Sequence, residues 1–227
     1  LMMYIIIPNC LIAQNKFNYN LSFSKECLFL SGGLSLNLLG SHLLSRVDPP
    51  DSRLLNEANL PWFDRFAIYC DNQFTDNVSD ITLIMSIVLP AISTLQADSK
   101  ADKHKGVLLY LESVLLTNGV THIVKALVHR ARPYAYRRSQ EELDSNAAQS
   151  FISGHTSLAF NGAMTAGMLF QSYQNDSKWN TPVWILGISL ATSTGIFRIT
   201  SGNHFLSDVI VGALVGIITS CLIMNTH

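Results

Sequence analysis

The sequence predicts an all-α integral membrane bundle of about six helices, with its functional residues gathered at one membrane face. Three observations carry this. Charge is scarce: 14% of residues are charged and 48% hydrophobic, with a mean hydropathy of +0.25, whereas soluble chains average roughly 25% charged. The apolar residues are concentrated in six stretches, 28–46, 81–97, 106–124, 151–170, 182–197 and 205–224, several of them near the about 20 residues that a spanning helix needs. The polar connections between them differ in charge, which orients the chain. A net charge of −1 excludes an electrostatic nucleic-acid binder.

Met2–Ala13 is apolar but has neither a basic leading region nor a small-x-small cleavage site, so it does not read as a secretory signal. Stretch 28–46 contains Gly32, Gly33, Asn37 and His42, which makes it the weakest span; an interfacial or packed helix is the alternative. Residues 60–74, with Trp62, Phe63, Phe66 and Tyr69, read as a short amphipathic helix at the membrane interface. Pro90 is predicted to kink the second stretch. In the last stretch Gly212-x-x-x-Gly216 puts two side-chain-free positions on one face, a weak signal of close helix packing. Cys10, Cys27, Cys70 and Cys221 show neither metal-ligand spacing nor a disulfide framework.

Residues 48–80 hold seven acids (Asp48, Asp51, Glu57, Asp64, Asp71, Asp76, Asp80) against Arg53 and Arg65, whereas 98–105 hold Lys100, Lys103 and Lys105 against Asp98 and Asp102. The positive-inside rule places 98–105 in the cytoplasm and 48–80 outside. Span parity then brings 125–150, the entry to 151–170, and 198–204 to one face. Loop 125–150 has more bases than acids, which the rule alone would place inside; a chemical role for those bases explains their sign.

Three basic segments sit on that shared face. Lys125 and Arg132 are seven residues apart, two helical turns, and are predicted to share one helix face that Pro133 terminates. Ser153-Gly154-His155 opens a helix, where free N–H groups and the dipole favour an anion. Arg198 closes a helix, and His204 and Asp208 are four residues apart, close enough for the carboxylate to orient the imidazole. Each pattern alone is most often structural. Together they supply three cations for phosphate oxygens, an imidazole nucleophile, and a second imidazole for proton transfer. His129 reads as structural, bordering the site at most, and Arg130, Arg137 and Arg138 read as headgroup or solvent contacts.

These motifs resemble the type 2 phosphatidic acid phosphatase superfamily, whose pattern is Lys-x6-Arg-Pro, then Pro-Ser-Gly-His, then Ser-Arg-x5-His-x3-Asp. The resemblance covers about residues 80–224. It departs at Ile152, in place of the family proline, and at Phe197, in place of the serine before arginine. It implies that His204 is the nucleophile forming a phosphohistidine, Asp208 its orienting carboxylate and His155 the general acid. Lys125, Arg132, Arg198, Ser153 and Gly154 would hold the phosphate, with no metal and no cofactor.

The chain then divides into 1–79, an N-terminal segment with one possible membrane helix and the interfacial helix, and 80–227, the catalytic core. The implied activity is hydrolysis of a lipid phosphate or pyrophosphate. A phosphatidic acid, an undecaprenyl pyrophosphate or a lipid A phosphate would each serve, and the membrane would be the partner. The implied location is a bacterial inner membrane, with the site facing the periplasm or exterior. Phosphotransfer through the same intermediate and a catalytically silent lipid-phosphate binder remain alternatives, and the oligomeric state is not implied.

Overall fold

The computed structural model describes residue 19, residues 21–174 and residues 177–227. The apolar stretch Met2–Ala13 and Cys10 lie outside the described residues. Among those described there are six α-helices and no strand: α1 (Phe23–Leu44), α2 (Gln73–Thr94), α3 (Lys100–Val128), α4 (Gly154–Tyr173), α5 (Asn180–Thr200) and α6 (Leu206–Thr226). All of these except α4 are long and apolar enough to cross a membrane. The expected helical membrane bundle is therefore what forms, and stretch 28–46 is a full-length span candidate.

The distribution of polarity is the reverse of a soluble fold. Buried positions include Ser79, Thr82, Ser86, Ser113, Thr117, Asn161, Thr165 and Ser220, whereas Leu34, Leu38, Ile84, Val88, Ile185, Ile210 and Ile218 are exposed. Lipid offers no hydrogen bonds, so hydroxyl and amide groups turn inward and pair, and aliphatic chains face out. Helix α4 is the hub, packed against α2, α3, α5 and α6. Its Asn161 donates to the hydroxyls of Thr117 on α3 and Ser220 on α6, both at 2.9 Å.

Small residues set the helix spacing. A side chain at Gly212 would strike the Ser153 carbonyl at 2.7 Å, and one at Gly216 would collide with the backbone at Ser157. The Gly212/Gly216 pair thus packs α6 directly on the start of α4. Gly33 and Gly40 of α1 play the same part against α3: a Cβ at Gly40 would come within 2.6 Å of the His122 Cβ. Pro90 lies inside the continuous helix α2.

Two connections differ from expectation. Residues 60–74 are not an amphipathic α-helix; a 3-10 turn, Arg65–Tyr69, is followed by α2 starting at Gln73. Leu60, Ala67 and Ile68 bury against Ile199 and Phe205, so this segment caps the bundle end. Helix α3 stops at Val128, five residues before Pro133, because His129 takes a left-handed conformation (φ 51°, ψ 36°). The chain then runs beside 147–150, with Arg132 N donating to Ala147 O at 2.7 Å and Ser150 N to Arg130 O at 2.9 Å. Lys125 and Arg132 therefore do not share a helix face. Of the described cysteines, Cys27 and Cys70 are free and Cys221 is disulfide-bonded.

Candidate active site

The connections 45–72, 129–153 and 201–205 all lie at one end of the bundle, and the predicted residues converge there. Lys125 comes from the last turn of α3, is 9% exposed, and donates from Nζ to Gln149 O at 2.8 Å. Arg132 arrives from the extended segment beyond His129. Its Nη1 donates to Asn203 Oδ1 at 2.8 Å, and its buried Nε has no partner. Arg198, in the last turn of α5, donates from Nη1 to Asp76 Oδ1 at 2.5 Å and likewise leaves a buried Nε unpartnered. Asn203 joins the two guanidiniums, because its amide also donates to Asp76 Oδ1 at 2.9 Å.

His204 sits at the centre, 1% exposed, in the short connection between α5 and α6. Its backbone N–H donates to Arg198 O at 3.1 Å. Burial, then the positive fields of Lys125, Arg132, Arg198 and His155, hold its pKa well below the usual histidine value. At neutral pH it is an uncharged imidazole, the form with a lone pair to donate.

Asp208 is brought near but not into hydrogen-bond contact. Its Oδ2 is 3.7 Å from His204 Nδ1, and Nδ1 has no partner. Both carboxylate oxygens are engaged elsewhere. Oδ2 accepts from Ser150 Oγ at 2.5 Å and from Phe205 N at 2.9 Å, where it caps α6, while Oδ1 accepts from Arg130 Nη1 at 2.5 Å. Spacing alone cannot reveal such competing donors.

Ser153 is the N-cap residue of α4, its hydroxyl accepting from Thr156 N at 3.4 Å, while its own N–H donates to Asp208 O at 3.1 Å. A Cβ on Gly154 would meet Thr121 Cγ2 at 3.4 Å and Lys125 Cε at 3.9 Å, ordinary contacts, so the protein's own packing does not demand glycine. His155 is partly exposed, and its Nε2 lies 2.9 Å from Asp80 Oδ1. Ile152 is fully buried. Beside Phe197, Arg198 Nη1 donates to Ser79 Oγ at 3.3 Å.

Several residues emerge only in three dimensions. Arg130, read as a headgroup or solvent contact, bridges two fully buried carboxylates, Asp208 and Asp64, the latter at 2.8 Å. It also stacks 4.2 Å over the Phe205 ring. Asp64 in turn accepts from the Ser207 N–H at 3.0 Å and from its hydroxyl. Asp64, Asp76 and Asp80 are carboxylates from residues 45–80 that reach the motif residues, and Asp64 and Asp76 lie on the N-terminal side of the 79/80 division. A polar recess of 180 Å³ lined by Asp76, Tyr134, Arg138, Ser201 and Asn203, among others, opens beside Arg198's partner Asp76.

A helical membrane bundle with one buried, neutral histidine enclosed by cations at one end is the class that fold and geometry define. Comparison with known proteins makes it specific. Residues 106–227 match the model of the PAP2 superfamily, and the chain belongs to that family. It is 29% identical over 143 residues to a lipid A 1-phosphatase from Porphyromonas gingivalis. That match covers 63% of this chain but only 28% of the relative, so the chain spans less than a third of that protein's length. Its fold is similar to the crystal structure of a transmembrane PAP2-type phosphatidylglycerolphosphate phosphatase from Bacillus subtilis. The TM-score is 0.53 at 20% identity, over 86% of this chain and 94% of the other. A weaker likeness, TM-score 0.48 and 22% identity over 71% of this chain and 92% of the other, is to the crystal structure of Aquifex aeolicus LpxE.

Proposed function

We propose that the chain is a PAP2-type phosphatase that hydrolyses a membrane lipid phosphate or pyrophosphate through a phosphohistidine on His204. The observation that carries this is the orphaned donor set around that imidazole. Arg132 Nε and Arg198 Nε are buried N–H groups without partners beside a neutral, buried histidine. A buried donor left unsatisfied is costly, and a tetrahedral anion between the guanidiniums would satisfy both. Lys125 adds a third charge. Such preorganised cations stabilise the charge that builds on the peripheral oxygens during phosphoryl transfer.

In this reading Nε2 of His204 attacks phosphorus. A P–N bond forms as the P–O bond to the lipid breaks, and His155, held by Asp80 and carrying a proton taken up with the bound phosphate anion, delivers that proton to the departing oxygen. Water then attacks phosphorus, His155 takes up its proton, the P–N bond breaks, and inorganic phosphate leaves with His204 restored. Asp208 would close its 3.7 Å separation from Nδ1 as the imidazole becomes phosphorylated and needs a counter-charge. The three fixed cations and two imidazoles supply every charge and proton this scheme requires, so no metal or cofactor takes part in it.

Because the curated relative acts on lipid A at its 1-phosphate, a lipid A phosphate heads the substrate panel, followed by phosphatidylglycerol phosphate, phosphatidic acid and undecaprenyl pyrophosphate. The proposed setting is a bacterial inner membrane with the site on the periplasmic or exterior side. The test is phosphate release in detergent with EDTA, comparing the native chain with His204→Ala. Release that resists chelation and falls at least about 10³-fold in the variant is expected. Release from no lipid, or equal release by His204→Ala, would overturn the proposal. Adding an alcohol acceptor separates hydrolysis from phosphotransfer.

A further inference from the structure

At the other end of the bundle, Glu26, Glu112 and His227 converge. Glu26 lies in the first turn of α1 and Glu112 lies on α3, thirteen residues before Lys125 and so about 20 Å along the helix axis from it. His227 follows α6. One ligand-type atom from each lies within 4.8 Å of the others. Glu112 and the His227 side chain are fully buried, and Glu26 is 9% exposed.

The three present acceptors to one another. Nδ1 of His227 is 3.0 Å from the Ile223 carbonyl, an acceptor, so Nδ1 carries a proton and, in the neutral ring, Nε2 carries the lone pair. That lone pair faces Glu26 Oε1 at 3.1 Å and Glu112 Oε2 at 3.5 Å. All four carboxylate oxygens and Nε2 lack a hydrogen-bond partner. Two buried carboxylates and an imidazole lone pair repel one another in a low-dielectric interior, so either a shared proton or a cation between them must compensate, and the arrangement of one ligand-type atom from each within 4.8 Å fits a cation.

We propose that this cluster is a structural divalent-cation site of the zinc type, with Glu26, Glu112 and His227 Nε2 as ligands. Its two negative charges match one dication, and one imidazole with two carboxylates is a donor set zinc accepts. Ligand atoms about 2.0–2.2 Å from a tetrahedral zinc stand about 3.3–3.6 Å apart, close to the separations of 3.1 and 3.5 Å from Nε2. The Ile223 carbonyl supplies the outer contact that orients a ligating histidine. Lys25 Nζ, donating to Thr226 O at 2.7 Å, already ties the start of α1 to the end of α6. The ion would join α1, α3 and α6, away from the candidate active site.

The test uses the full chain, purified in detergent, stripped with EDTA, and titrated with zinc sulfate. Retained metal is counted by mass spectrometry after desalting, and thermal unfolding is followed in parallel. The native chain should retain one zinc, with Tm rising roughly 5–10 °C at about a hundredfold excess over Kd. Glu112→Gln, which keeps the shape and removes a charge, should lose both responses. Should that variant not fold, Glu26→Gln gives the same readout at a helix end. No retained zinc in the native chain, undiminished retention in the foldable variant, or retention of calcium or magnesium in place of zinc would each overturn the proposal.

Discussion

Arg130→Met tests whether the charge network beneath the site is structural. Arg130 makes one charge-assisted hydrogen bond to Asp208 at 2.5 Å and one to Asp64 at 2.8 Å, and both carboxylates are fully buried while the guanidinium is 19% exposed. Removing one partner of a buried ion pair typically costs about 3–5 kcal/mol, because it leaves the other charge uncompensated. Two carboxylates lose a partner here, but each keeps others. Asp208 retains Ser150 and the Phe205 N–H, and Asp64 retains both donors of Ser207. The loss should therefore stay within that range, and at about 2–4 °C per kcal/mol for a chain of this size Tm should fall roughly 6–20 °C. The assay is thermal unfolding in detergent, paired with phosphate-release kinetics in which kcat drops more than KM rises. Arg130→Met/Asp64→Asn should recover part of the Tm, since it removes one of the stranded charges. A Tm change under about 2 °C, with unaltered kcat, would refute the reasoning and return Arg130 to the role of a solvent contact.

Asp80→Asn should lower kcat about tenfold to a hundredfold with KM little changed, because His155 loses the carboxylate 2.9 Å from its Nε2. Substrates with good leaving groups, which need less protonation, should be spared. His204 gives a pH signature. Its folded pKa lies well below the usual value, so below about pH 6.5 the unfolded chain binds a proton that the folded chain refuses. Stability from this residue is thus lost as pH falls from the unfolded pKa toward the folded one. The Tm difference between the native chain and His204→Gln should grow as pH rises from about 4.5 to 6.5 and level off above; a pH-independent difference would contradict it. On α1, Gly40→Ala should cost about 1–3 kcal/mol, since its Cβ would lie 2.6 Å from His122 Cβ. Gly32→Ala, with nothing within 4 Å, should stabilise by up to about 1 kcal/mol through helix propensity. Equal effects in thermal unfolding would show that α1 does not pack as described.

What the sequence reveals about this molecule follows the range of the interactions. Helix number and polarity come from local composition. The meeting of Lys125, Ser153, Arg198 and His204 at one end comes from span parity, which needs no distances. The Gly212/Gly216 pair announces close packing through spacing alone. What stays hidden depends on partners distant in the chain. Arg130 meets Asp64 66 positions away and Asp208 78 positions away, so nothing near Arg130 marks it as buried. Asp76 and Asp80 look like helix-entry acids until α2 packs beside α4 and α5. The shared face assigned to Lys125 and Arg132 fails for a local reason: His129 adopts a backbone conformation uncommon for a non-glycine residue. Pro133 is the more obvious helix breaker, and it pointed to the wrong residue.

Helix α4 has a consequence for biogenesis. It carries Ser157, Asn161 and Thr165 on its buried surface, and it is the helix that does not reach the apolarity of an independent span. Asn161 and Thr165 find their hydrogen bonds on α3 and α6, partners that a solitary segment leaving the translocon would lack. Lateral release of α4 into lipid should therefore await its neighbours, with α6 the last of them in synthesis. The segment that begins with Ser153 and His155 would reach its final depth only once α6 has been made.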